Sequence, residues 1–168
     1  ARLGDTYSQS VKRFGEPLIY LQDKYAEFGL FEKANFAIFV NYNNGVAEEE
    51  IYASLAPGIK EKLRNGDDIS YYDKSELVSN PENLASMSKR HLLLLLKANR
   101  INSSYPGNLK DAKQAIDFST KELKAQYIPG TKLLIVAKKV KAGACLECGK
   151  AENNRRGLCN ACYLRFNR

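Results

Sequence analysis

Residues 31–55, FEKANFAIFVNYNNGVAEEEIYASL, decide how the first half of this chain is read. Phe31 to Asn43 carries apolar residues on most faces of a helical wheel, which predicts a largely buried helix. Asn43-Asn44-Gly45 is a stop or turn signal. Beyond it, Ala47 to Leu55 opens with Glu48, Glu49 and Glu50, carboxylates in the first turn where a helix dipole favours negative charge, and Pro57-Gly58 closes the segment. The stretch therefore reads as two helices broken at the Asn-Asn-Gly tripeptide.

Working outward, residues 16–28 place Leu18, Leu21, Tyr25 and Phe28 on one stripe, predicting a helix that Gly29 ends. Residues 65–80 are polar and turn-rich and read as a connecting segment. Asn80-Pro81 pairs an N-cap residue with the one residue that fits the first helical position without losing a needed hydrogen bond. The helix it opens is expected to run to about Asn99, through the leucine run Leu92–Leu96 that places it at the centre of the core. Residues 108–127 show a cleaner amphipathic pattern, with Leu109, Ala112, Ile116, Leu123 and Tyr127 on one side. Pro129-Gly130 breaks it, and Thr131 to Val140 (TKLLIVAKKV) is the strong strand candidate, being rich in β-branched and aliphatic residues.

The expected fold is mainly α: a helical domain over 1–130, a strand and connector over 131–144, and a small cysteine-bearing unit over 145–168. The 168 residues suit one ordinary domain plus such an appendage. The helices expected around 82–99 and 108–127 invite a helix-turn-helix reading. Their connection, about eight residues with Pro106 inside, is longer than the usual turn of that motif.

Charge is unevenly placed. The formal net charge is +7, and Lys plus Arg stand against Asp plus Glu as 8 to 11 over residues 1–70, 10 to 6 over 71–137 and 8 to 2 over 138–168. An acidic-to-neutral front with a strongly basic tail suits a polyanion meeting one end and something else meeting the rest. The longest aliphatic run is far short of the roughly 20 residues that cross a bilayer. With no signal-peptide pattern and all four cysteines in one short window, the expected compartment is intracellular, with reduced thiols and no membrane partner.

Those cysteines carry the most specific signal. Cys145-Leu-Glu-Cys148 and Cys159-Asn-Ala-Cys162 are two C-x-x-C pairs, supplying the four thiolates of a tetrahedral structural zinc site. A disulfide pair conflicts with intracellular character and a thioredoxin-like motif lacks its βαβ surroundings. The symmetric spacing with Gly149 after the first pair favours zinc over an iron–sulfur cluster. One structural Zn²⁺, held by Cys145, Cys148, Cys159 and Cys162, is expected. Four protein ligands leave no open position for water or substrate, so catalytic zinc is not.

The Cys-x-x-Cys-Gly at 145–149, the Arg155-Arg156-Gly157 that follows, and Leu158-Cys159-Asn160-Ala161-Cys162 together resemble a treble-clef zinc finger. The Leu-Cys-Asn-Ala-Cys string is similar to GATA-type fingers. That resemblance covers about a seventh of the chain and implies a knuckle for the first pair, a β-hairpin, and a helix opened by the second pair. The spacer is shorter than a GATA finger's, the helix is brief, and the basic extension of those fingers is missing. The resemblance therefore supports a fold for the tail more than a sequence-specific function.

A helix starting near Leu158 groups Arg165 with Arg168 and puts Tyr163 and Phe166 on a different face. With Lys138, Lys139, Lys141, Lys150, Arg155 and Arg156, the two arginines are candidate phosphate contacts. A cationic face that serves only solubility is the competing reading.

Catalysis finds little support. His91 is the single histidine, and its place beside the leucine run suits a structural role. Asp67-Asp68 and Glu48-Glu49-Glu50 show no spacing that pairs them across a substrate, and neither a phosphate-binding glycine loop nor a nucleophile elbow occurs. The expected function is a zinc-containing, nucleic-acid-binding regulatory protein, transcription-related, with DNA slightly favoured over RNA. The first rival is an adaptor docking on a transcription or replication complex, through the finger or through a domain that also allows self-association. The second is a metal-independent enzyme built on the first domain.

Overall fold

The computed structural model describes residues 2–59, 61, 77, 78 and 80–139. The chain divides into two compact units, 1–138 and 139–168. The first unit is mainly β, which overturns the expectation of a helical domain over 1–130. Among the described residues it contains a short helix α1 (Tyr7–Phe14), strands β1 (Ile19–Gln22), β2 (Glu27–Lys33), β3 (Phe36–Asn43), β4 (Val46–Leu55) and β5 (Leu84–Ala85), a helix α2 (Lys89–Ala98), and strands β6 (Ile116–Asp117), β7 (Leu123–Ile128) and β8 (Leu133–Lys138). The pairings are antiparallel, in the order β1-β2-β3-β4-β8-β7-β6, with β5 alongside β4.

The correction begins at residues 31–55. Asn44 and Gly45 both have positive φ, 52° and 77°, and join Asn43 to its cross-strand partner Val46. Asn-Gly in that conformation has the twist that feeds two antiparallel strands, so the tripeptide is a hairpin and not a helix stop. A second tight turn at Ala34-Asn35 links Lys33 to Phe36, with Ala34 at φ 55°. What looked like an apolar helix is thus the end of β2, a turn and β3. Its apolar residues lie on most faces of a helical wheel because a sheet covered on both sides alternates between two apolar environments: Ile38 and Val40 belong to one buried cluster, Ala37 and Phe39 to the other.

The glutamates of β4 also find strand partners. Asn41 Nδ2 donates to Glu49 across a paired position at 2.7 Å, and Asn43 Nδ2 donates to Glu48 at 3.0 Å. A register shift at Asn41/Tyr42 lets Glu48 sit as the extra residue of a β-bulge.

Residues 16–28 form β1, a turn and the start of β2. Asp23 Oδ1 accepts from the backbone N–H of Tyr25 and Ala26, both at 2.7 Å, which fixes the reversal. Leu21 and Tyr25, half of the supposed helical stripe, are exposed. Residues 108–127 are a single 3-10 turn (Leu109–Asp111), β6 and the start of β7. With no helix there, the helix-turn-helix reading fails.

The Asn80-Pro81 entry is real but brief. Asn80 caps a 3-10 turn over Pro81–Asn83, the chain becomes β5, and α2 starts only at Lys89, capped by Ser88. Leu92 and Leu96 of the leucine run are fully buried while Leu94 is 53% exposed, so one face of α2 and not the whole helix enters the core. The strand expected over 131–140 is present as β8.

Two apolar clusters hold the sheet. The larger joins Phe31, Ile38, Val40, Tyr52, Leu134 and Val136 to Leu92 and Leu96 of α2, with Tyr7, Val11 and Phe14 of α1 packed against it. The smaller, on the other face, gathers Ile19, Leu30, Ala37, Ala53, Leu55 and Leu84. Each fully buried large apolar side chain contributes on the order of 1.5–3 kcal/mol. Helix α1 is fixed by a capping box, Thr6 Oγ1 accepting from Gln9 N–H and Gln9 Oε1 accepting from Thr6 N–H, and ends at Gly15 with φ 87°. Among the described residues no helix is long and apolar enough to cross a membrane.

Candidate functional site

A cleft of about 630 Å³ opens at one end of the sheet. Five cationic side chains line it, from five separate places in the sequence: Arg2, Arg13 on α1, Arg100 just past α2, Lys121 before β7 and Lys138 at the end of β8. Asp5 and Glu122 are the carboxylates of the lining. Asp5 is nearly buried and accepts from Arg13 Nε at 2.6 Å, so one cation is held by an internal partner. Arg2, Arg100, Lys121 and Lys138 remain opposite Glu122.

Arg100 shares a left-handed backbone with Ala34, Asn44 and Lys132, and of these four it is the one that lines the cleft. It follows Asn99, the C-cap of α2, and has φ 62°, the left-handed conformation in which glycine usually ends a helix. Its N–H donates to Lys97 O at 2.9 Å, so the helix end is satisfied whatever the side chain. An arginine there strains the backbone and puts a cationic residue in the cleft lining.

Asn99, also in the lining, leads inward to a buried polar chain. Its Nδ2 donates to Leu95 O at 3.1 Å and to the hydroxyl of Tyr52 at 3.0 Å, and Tyr52 in turn donates to Glu50 Oε2. Glu50 and Tyr52 are two apart on β4 and therefore share a face. Glu50 is fully buried and Asn99 is 4% exposed. Burial raises the Glu50 carboxyl above its ordinary value, and the Tyr52 hydrogen bond pulls the other way. Burial also raises the Tyr52 hydroxyl well above its ordinary value, with the Glu50 carboxylate adding to the effect. Among the described residues, Glu50 Oε1 and Asn99 Oδ1 lie buried with no hydrogen-bond partner.

A second concavity, of about 520 Å³, runs along α2. Leu93, Leu94 and Ile101 give it apolar walls, and Lys89, Arg90 and Lys97 add positive charge. His91 sits in the first turn of α2, exposed, edge-on to the Phe36 ring with centroids 5.3 Å apart.

Of the residues singled out from sequence, Lys138 lies in the cationic cleft and Lys139 is exposed beside it in the chain. Lys141, Lys150, Arg155, Arg156, Arg165 and Arg168, and the zinc candidates Cys145, Cys148, Cys159 and Cys162, lie outside the described residues. Among the described residues no group of His, Cys, Asp and Glu could hold a metal ion. Sequence reasoning missed Arg2, Arg13, Arg100 and Lys121, because they come from segments far apart in the chain and share no linear pattern.

No protein-family model, curated protein or solved structure matches this chain.

Proposed function

We propose that this is a zinc-containing, nucleic-acid-binding regulatory protein, in which a β domain and a four-cysteine tail both offer positive charge to phosphates. The observation that carries the reading is the convergence of Arg2, Arg100 and Lys121 on Lys138, a residue already marked as a phosphate contact by the basic run that begins there. Cationic side chains gathered in one concavity repel one another unless an anion joins them, and a polyanion releases counterions as it does so. The tail supports the reading through its two C-x-x-C pairs, which would hold one structural zinc, and through Arg155, Arg156, Arg165 and Arg168.

The test is binding of the full chain to duplex DNA, single-stranded DNA and RNA over a range of salt. Affinity is expected to fall linearly with the logarithm of salt concentration. Absence of binding to all three at low salt overturns the reading.

The adaptor reading is favoured by the groove along α2, where exposed Leu94 beside Lys89, Arg90 and Lys97 suits an acidic, amphipathic protein segment. Capture of such a segment that is lost on Leu94→Asp, with no affinity for nucleic acid, would establish it instead.

A further inference from the structure

We infer that the cleft between Arg100 and Lys138 is a binding site for one single strand of nucleic acid, held by its phosphodiester backbone with the bases unread. The inference rests on the nucleic-acid reading above and assigns it to the β domain, separately from the tail.

Three observations carry it. The first is the strained Arg100. A glycine would end α2 in the same left-handed conformation at no steric cost, and Lys97 already supplies a cation to the last turn of the helix. What arginine adds at this lining position is a planar guanidinium group, whose chemistry suits bidentate contact with a phosphate. Ala34, Asn44 and Lys132 hold the same conformation in turns that do not line the cleft, so what marks Arg100 is that the strain coincides with a cationic lining.

The second is the cleft's charge balance. Asp5 is taken up by Arg13, which leaves Glu122, among the described residues, as the carboxylate that lines the cleft with Arg2, Arg100, Lys121 and Lys138. The excess calls for more than one negative group, as successive phosphates on a strand provide. The third is shape and lining. About 630 Å³ lies within the range of pockets that take a small ligand, room for a few linked groups of one strand. Among the described residues no aromatic side chain lines the cleft, so they offer no platform on which bases could stack, and recognition is left to the backbone.

The experiment measures binding of the full chain to an oligothymidine, an oligouridine and a blunt duplex of equal length, each across salt. Both single strands are expected to bind more tightly than the duplex and within a few-fold of each other. Arg100→Gly is expected to weaken single-strand binding about tenfold at low salt and to lower the magnitude of the salt slope by about 0.7, one phosphate contact. Its melting temperature should hold or rise, because glycine relieves the backbone. A paired Lys121→Ala, Lys138→Ala variant should act in the same direction, and it stands in should Arg100→Gly fail to fold.

Unchanged affinity and slope in both variants overturn the inference, as does a duplex bound as tightly as the single strands with the same losses. If the whole loss follows Arg155→Ala, Arg156→Ala in the tail and none follows the cleft variants, the cleft assignment falls while nucleic-acid binding stands. If wild-type protein binds no nucleic acid at low salt, both fall.

Discussion

Asn99 Nδ2 donates to the Tyr52 hydroxyl at 3.0 Å, tying the cap of α2 to the central strand β4 across 47 residues of sequence. Asn99→Ala removes this bond to the Tyr52 hydroxyl and the one to Leu95 O. The expected cost is about 1–3 kcal/mol by chemical denaturation. Tyr52→Phe should cost a similar amount, because Glu50 Oε2 and Asn99 Nδ2 both lose a partner. The double variant should cost less than the sum, with a coupling of about 0.5–3 kcal/mol. Simple additivity would mean that the chain does not act as a unit.

Glu50 predicts a pH dependence with a definite sign. Its native carboxyl is raised above 4.5 by burial, so the folded protein keeps a proton that the unfolded chain gives up. The stabilising contribution is complete below the unfolded value and is lost as pH rises through the raised native one. Glu50→Gln keeps an oxygen to accept from Tyr52 and cannot ionise. The melting temperature of wild type minus that of Glu50→Gln should therefore fall steadily from pH 4.5 towards neutrality. A difference that rises with pH would show the carboxylate to be the stabilised form.

Gly29 is a packing requirement. A Cβ there would stand 2.8 Å from Cε2 of Phe31, whose ring is fully buried and in contact with the rings of Tyr7 and Phe14. Gly29→Ala should cost about 1–3 kcal/mol, since a fully buried ring would have to shift to admit the methyl group. Gly29→Ala combined with Phe31→Leu should recover part of that loss.

Arg13 and Asp5 form a close pair, but the Arg13 side chain is 42% exposed. Arg13→Ala is expected to cost under about 1 kcal/mol, and less still in high salt. A loss of several kcal/mol would identify Asp5 as a buried charge that depends on this one partner.

For the tail, elemental analysis of the purified full chain should give about one zinc per molecule. Cys159→Ser should release the metal while the main thermal transition, which belongs to the sheet of unit 1–138, stays in place. Protein with no bound metal and an unaltered tail in that variant would refute the zinc assignment.

How much of this was legible in the sequence can be traced residue by residue. Leu133–Lys138 announced its strand through a run of aliphatic and β-branched residues, and the cap at Asn80 was readable from side-chain chemistry alone. The hairpins were not. Asn44-Gly45 serves equally as a helix stop and as a strand reversal, and what decides is which segments pair. In β3 both faces are covered, so the polar alternation that marks a half-exposed strand is absent. In β4 three consecutive glutamates favour a helix locally, and pairing with β3 and β8 overrides that preference. The cleft was legible only at Lys138. Arg100 looks like any basic residue after a helix until its backbone conformation is known.

Strand β8 has a mechanical consequence. It is hydrogen-bonded to β4 on one side and to β7 on the other, and the basic tail leaves directly from its end. A pull on the tail along the strand loads both ladders in shear, so their bonds must fail together and cannot be unzipped singly as at a sheet edge. The tail is thus joined to a strand paired on both sides, an attachment that bears more load along its length than an edge strand would.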